Sequence, residues 1–217
     1  MIFQFLDPFG AITAFIATLL FMRARIIAWP ISMIAVCVNA YLYYLKGIYG
    51  DMGLEGFYLI TSCYGWYIWY VGVDQHELHV SHITKRHLCI LTVLAIIMLP
   101  TLILLLKYGA HSQVPYLDAT TTMLSLLGQW LMCRKIIEGW ICWFAADVLY
   151  GFLFLYKGIP FHSLTHWLYL VLAVMGYLNW RRMMGSEAGE LRRTSTWLTR
   201  SQAILNEVIN HRRISQR

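Results

Sequence analysis

Residues 23–69 read RARIIAWPISMIAVCVNAYLYYLKGIYGDMGLEGFYLITSCYGWYIW, and residues 134–180 read RKIIEGWICWFAADVLYGFLFLYKGIPFHSLTHWLYLVLAVMGYLNW. Placed in register, 111 positions apart, they agree at 12 of 47 positions without a gap. Arg23 falls on Arg134, Trp29 on Trp140, Lys46-Gly47-Ile48 on Lys157-Gly158-Ile159, Tyr58-Leu59 on Tyr169-Leu170, Gly65 on Gly176 and Trp69 on Trp180. Composition alone would give roughly three identities. The chain is therefore read as an internal duplication. Paired hydrophobic repeats are typical of folds that hold a small molecule between two pseudo-symmetric halves.

Working outward, the 217 residues are 59% hydrophobic and 13% charged. A soluble domain carries about 25% charged residues. Most of this surface must face something other than water, so the partner is a lipid bilayer. Crossing it takes about 20 apolar residues. Seven spans are expected, near Pro8–Met22, Ile26–Leu45, Leu54–Val73, His87–Leu106, Ala119–Cys133, Ile137–Tyr156 and Phe161–Trp180. The first and fifth are short.

The repeat pairs spans one to three with spans five to seven. This divides the chain into a first three-helix bundle (8–73), a linker helix (87–106), a second bundle (119–182) and a basic amphipathic tail (183–217). A single linker helix returns the second triplet in the orientation of the first, so the repeats are parallel. The fold class is an all-α polytopic membrane protein built 3+1+3. Arg23, Arg25, Lys85, Arg86, Arg134, Lys135, Arg181 and Arg182 lie on one side, against Lys46, Lys107 and Lys157 on the other. The positive-inside rule makes the richer side cytoplasmic, with the N-terminus outside and the C-terminus inside. The net charge of +6 reflects this bias and the tail, and no separate basic domain points to nucleic acid. Leu191, Leu198, Leu205 and Ile209 recur at helical spacing near Trp197, a pattern suited to the anionic leaflet. The N-terminus lacks the basic start of a signal peptide, so the first segment is expected to remain as a span.

Polar groups inside spans carry the chemical information, because each is costly unless it faces protein or water. In span six Trp140, Trp143, Asp147 and Tyr150 follow at i, i+3, i+7 and i+10, on one helix face. Indole and phenol faces attract a flat cation, and a carboxylate balances its charge. A structural acid bonded to a neighbouring helix is the plainer reading of Asp147. Gln129 and Asn179 offer amides to a ligand or to another helix. Asn39 matches Tyr150 in the repeat, so both are expected to face one cavity. Trp66, Trp69 and Trp180 close their spans, where interfacial anchoring competes with ligand contact.

Other features have plain readings. Lys46-Gly47 and Lys157-Gly158 suit helix C-caps. Glu138 suits an ion pair with Arg134 and Lys135. His76, His79, His82 and His87 read as a solvated loop titrating near neutral pH, with no metal, and His162 and His166 are read with the same restraint. Cys37, Cys63, Cys89, Cys133 and Cys142 read as small buried residues. No nucleotide-binding, zinc-protease or nucleophile-elbow motif occurs, and no cofactor is implied. A membrane-embedded enzyme lacks its paired base and nucleophile, and a sensor would bind without flux.

Gly128-Gln129-Trp130-Leu131, Arg134-Lys135, Glu138, Trp140-x-x-Trp143-x-x-x-Asp147-Val148, Leu155-Tyr156-Lys157-Gly158 and Gly176-Tyr177-x-x-Trp180 resemble the PnuC-type nicotinamide riboside (formerly mononucleotide) transporter family. Tyr49-Gly50-Asp51, Tyr58 and Gly65-Trp66-x-x-Trp69 are similar to its first half. The resemblance covers roughly residues 20–182. It implies a fold like the SWEET sugar transporters and facilitated diffusion of a vitamin across the bacterial inner membrane. It also implies trapping by a cytoplasmic kinase. The usual substrate is nicotinamide riboside, and some members are assigned thiamine or riboflavin. Gly139 and Glu55 stand where relatives often carry Asn and Gln, changes that bear on substrate choice. The substrate-binding set is expected to be Asn39, Tyr58, Trp66, Trp69, Gln129, Trp140, Trp143, Asp147, Tyr150, Asn179 and Trp180. The oligomeric state, including a homo-oligomer, stays open.

Overall fold

The computed structural model describes residues 2–45, 49–72, 78–109, 112, 114–156, 163–186, 189 and 197. Among them the regular structure is helical: α1 (Ile2–Met22), α2 (Ala28–Leu45), α3 (Tyr49–Val71), α4 (Lys85–Leu104), α5 (Pro115–Cys133), α6 (Gly139–Tyr156) and α7 (residues 163–186). A π-helical turn, Leu105–Gly109, extends α4. Residues 1–180 form one compact unit, and residues 181–217 a second. The caps expected at Lys46-Gly47 and Lys157-Gly158, the residues His76 and His162, and most of the tail lie outside the described residues.

α1 begins six residues before the expected start and α5 four before. An apolar-run reading stops at Asp7-Pro8 and at Asp118, but the backbone does not. Pro8 removes one N–H, which a membrane helix tolerates. Pro115 stands at the start of α5, where its fixed φ favours the first turn. The helices run for 21 and 19 residues, while the apolar stretch of α1 is the expected short one, Pro8–Met22. At 1.5 Å per residue, 19 residues reach about 28 Å, close to a bilayer core. α4 is also apolar and has no buried residue, so its flanks face outside the bundle.

The turns after α1 and α5 are built alike. Arg25 N donates to Leu20 O at 3.0 Å and Ala24 N to Phe21 O at 2.9 Å. One hundred and eleven residues on, Ile136 N donates to Leu131 O at 3.0 Å and Lys135 N to Met132 O at 3.1 Å. This paired pattern is a Schellman ending. It holds Ala24 at φ 49° and Lys135 at φ 50°, in the left-handed region that glycine normally fills.

Packing repeats too. A Cβ on Gly65 would lie 2.4 Å from the Trp29 ring, and one on Gly176 would lie 2.6 Å from the Trp140 ring. Trp29 lies flush against the backbone of α3 and Trp140 against that of α7. Trp69 meets Trp29 edge-on at 5.4 Å, and Trp180 meets Trp140 edge-on at 5.7 Å. Trp69 and Trp180 touch at 6.1 Å, which joins the two aromatic clusters.

Hydrogen bonds then cross between halves. Trp69 Nε1 donates to Met132 O (3.2 Å) and Cys133 O (3.1 Å) at the end of α5. Trp180 Nε1 donates to Phe21 O (2.9 Å) and Asn179 Nδ2 to Met22 O (2.6 Å) at the end of α1. Phe21 O and Met132 O already accept from the turn N–H groups, so the indoles add a second bond there, while Asn179 and Trp69 supply donors to Met22 O and Cys133 O in the last turn.

The segment before α4 is pinned to the α5–α6 turn. Ser81 and Ile136 form an isolated parallel bridge. Glu138 accepts from His82 Nδ1 (2.8 Å) and Ile83 N (3.0 Å), and Lys135 Nζ donates to Leu78 O (2.7 Å). His82 thus belongs to an anchored segment and not to the freely solvated loop its sequence suggests. Cys37, Cys63 and Cys89 are exposed, contrary to the buried reading, because they lie on outward helix faces.

Candidate functional site

A cavity of about 600 Å³ lies within residues 1–180, bounded by α1, α2, α3, α5, α6 and α7. α1 gives it a small-residue wall: Gly10, Ala11, Ala14, Ala17 and Thr18. Helices α2 and α3 bring Asn39, Tyr43, Glu55 and Tyr58, and α5 brings Gln129. Trp140, Trp143 and Asp147 come from α6, and Thr165, His166 and Tyr169 from α7.

Local packing sets each side chain. A Cβ on Gly128 would lie 3.1 Å from Trp143 Nε1, so the glycine lets that indole seat on α5. Gly10 does the same for Asn39, whose Oδ1 lies 2.5 Å from where a Cβ would be. Gln129 Nε2 donates to Thr61 Oγ1 (3.3 Å) and Ser62 Oγ (3.4 Å) on α3. Tyr58 is hydrogen-bonded to the buried Ser125. Asp147 is buried, and its Oδ1 lies 2.8 Å from His166 Nδ1. Tyr150 stacks on the His166 ring, centroids 4.8 Å apart and planes 24° apart. The cavity is thus aromatic on several sides and carries two carboxylates, Glu55 and Asp147. Among the described residues, no lysine or arginine lines it.

Of the expected ligand contacts, Asn39, Tyr58, Gln129, Trp140, Trp143 and Asp147 meet in this wall. Tyr150 does not line it and instead backs His166, so Asn39 and Tyr150 do not face the cavity together. Trp69, Asn179 and Trp180 stand outside the lining, held by the crossed hydrogen bonds described above. Trp66 is exposed on the outer face of α3, because it falls one residue past the inward-facing Gly65. Four ionisable wall residues were not singled out as contacts: Tyr43, Glu55, His166 and Tyr169. The duplication holds the missing signal for three of them. Tyr58 falls on Tyr169, and Glu55 on His166.

Among the described residues, helices with outward apolar faces surround a polar, aromatic cavity, an arrangement suited to a membrane transporter. The family model described as nicotinamide mononucleotide transporter matches residues 4–182, and the chain belongs to that family. It is 23% identical over 201 residues to the nicotinamide riboside transporter PnuC of Neisseria mucosa, covering 86% of this chain and 76% of that protein. It is 24% identical over 178 residues to the riboflavin/roseoflavin transporter RibM of Streptomyces davaonensis, covering 80% and 83%. The solved structure titled crystal structure of the vitamin B3 transporter PnuC superposes with a TM-score of 0.68 at 23% identity, covering 84% of this chain and 83% of that one.

Proposed function

We propose that this protein takes up nicotinamide riboside across the bacterial inner membrane by facilitated diffusion. The observation that carries the reading is the charge and shape of the cavity. Its volume is in the range of small-molecule sites. Trp140, Trp143, Tyr58 and Tyr169 make the wall aromatic, which suits a flat cation. Asp147 and Glu55 supply negative charge, while Asn39 and Gln129 suit ribose and carboxamide groups. A phosphorylated nucleotide would bring its own negative charge to a wall whose described residues include two carboxylates and no lysine or arginine. This lining favours the riboside over the mononucleotide.

The same lining favours a second cation, thiamine, over a neutral flavin. The likeness to a riboflavin carrier makes riboflavin the third ligand to try.

We further propose that the helices form two parallel triplets, α1–α3 and α5–α7, joined by α4 in the SWEET-like 3+1+3 manner. The turns, glycine seats and crossed indole bonds that recur 111 residues apart support this. Transport would follow as the halves rock about the cavity. Release at the end bearing Arg23, Arg25, Arg134 and Lys135 then requires the Trp69 and Trp180 bonds to break. That end is assigned to the cytoplasm by its charge, where a kinase would trap the riboside as its phosphate.

Calorimetric titration of the purified protein with nicotinamide riboside, its mononucleotide, thiamine and riboflavin tests the reading, followed by counterflow in proteoliposomes. Riboside binding with saturable flux is the expected result. Binding of the mononucleotide equal to that of the riboside would refute it.

A further inference from the structure

His166 stands in the cavity wall on α7, and its contacts fix it unusually well. Nδ1 lies 2.8 Å from the Asp147 carboxylate. When Asp147 is ionised it has no hydrogen to give, so Nδ1 then carries the proton and donates. One ring face rests on Tyr150 at 4.8 Å, and Tyr169 closes on it at 6.3 Å with planes 55° apart. The imidazole is therefore held beside the one carboxylate in the middle of α6, at the edge of the space a ligand would occupy. Its counterpart in the first half is Glu55, which also lines the cavity. One position of the duplicated third helix thus contributes an ionisable group from each side, an acid from α3 and a histidine from α7.

Histidine is the side chain whose charge changes most readily near neutral pH. With the ring neutral, the Asp147 charge stands uncompensated in the wall. With the ring protonated, the pair is zwitterionic and that charge is cancelled. We propose that His166 tunes the charge selectivity of the cavity: its neutral form favours a cationic ligand over an uncharged one of the same shape, and its protonated form weakens that preference. The inference rests on the carrier reading above and adds a residue to it.

Other groups face His166 or the same space and must be separated from it. Tyr150 on α6 stacks on the ring, and Asp147 on α6, Tyr169 on α7, Tyr43 on α2, and Glu55 and Tyr58 on α3 line the space. Among the described residues, α1 and α5 line it with no ionisable side chain. Burial displaces such groups from their solution values, so variants, and not pH alone, separate His166 from them, and the comparison runs between about pH 6 and 8.5.

The test uses the full chain in detergent and two probes of one shape, cationic nicotinamide riboside and its uncharged dihydro form. Their affinity ratio is measured across that pH range. In the wild type the preference for the cation should fall on the order of tenfold towards pH 6. His166→Asn keeps a donor for Asp147 but takes no charge, so its ratio should not change with pH. Glu55→Gln should bind the cation more weakly yet retain the wild-type slope. A His166→Asn profile that follows the wild type overturns the inference, as does a slope lost in Glu55→Gln. If His166→Asn does not fold, His166→Gln replaces it under the same criteria. Absence of riboside binding at every pH in both proteins overturns the carrier reading and this one together, whereas binding with no pH-dependent difference overturns this one alone.

Discussion

Replacing Gly176 with alanine tests the packing on which the cavity rests. The new methyl would lie 2.6 Å from Cε2 and Cζ2 of Trp140 and 2.7 Å from Cη2. Carbon atoms prefer about 3.5–4.0 Å, so the overlap is about 1 Å. The atoms it meets are a rigid ring, 3% exposed, with the Trp180 ring edge-on against it at 5.7 Å. No rotation of a flexible end relieves the clash. Overpacking of this kind costs about 1–3 kcal/mol, and alanine in a helix returns up to about 1 kcal/mol. The net loss should be about 1–2 kcal/mol. Gly53 and Gly56 on α3 provide the control, because a Cβ there meets nothing within 4 Å. Alanine at either position should be neutral or stabilise by up to about 1 kcal/mol. At about 2–4 °C per kcal/mol for a chain of this length, thermal unfolding in detergent should separate the Gly176→Ala protein from the Gly53→Ala control by several degrees. Gly65→Ala should lose as much as Gly176→Ala, since Trp29 stands to it as Trp140 stands to Gly176. Only Gly176→Ala should also weaken ligand binding, because Trp140 lines the cavity and Trp29 does not. Equal melting temperatures for Gly176→Ala and Gly53→Ala would refute the packing argument.

Ala24→Gly should raise stability by about 1 kcal/mol, since glycine adopts φ 49° without strain; an unchanged or lower melting temperature would count against the Schellman turn. Trp69→Phe and Trp180→Phe each remove an indole donor to the other half's carbonyls and should each destabilise by about 1 kcal/mol, read by thermal unfolding of the two single variants and the pair. Asp147→Asn should lower riboside affinity at least tenfold while dihydro-riboside affinity changes little, and calorimetry with both probes decides it. Ser163→Ala breaks a buried link in which the hydroxyl donates to Gly151 O at 2.8 Å and accepts from Trp167 Nε1 at 3.1 Å. Its cost should be about 1–3 kcal/mol, and a change within about 0.5 kcal/mol would argue against that bond.

The cavity face of α6 was legible because helical spacing is local. Trp140, Trp143 and Asp147 share a face whatever surrounds them, and they meet in the wall. His166 was marked in the sequence only by its match to Glu55 in the duplication, and its bond to Asp147 was not legible, since α7 reaches Asp147 only through the fold. Trp69, Asn179 and Trp180 have the composition of ligand contacts but serve the helix ends. Nothing in their own segment reveals that the final carbonyls of α1 and α5 would lie within reach. Glu138 carried the same ambiguity, having two basic neighbours in sequence but the segment 82–83 as its partner in space.

The sequence by itself determined that the chain is helical and membrane-embedded, that it is duplicated at 111 residues, and which face of α6 is polar and aromatic. Those properties follow from composition and from spacing along one helix, and both are written in consecutive residues. Only the tertiary structure decided which aromatic residues open onto a cavity and which close against each other. A tryptophan near the end of a helix can meet a ligand, a lipid headgroup or an unpaired carbonyl. The choice among them depends on which helix end from the other half of the chain arrives beside it.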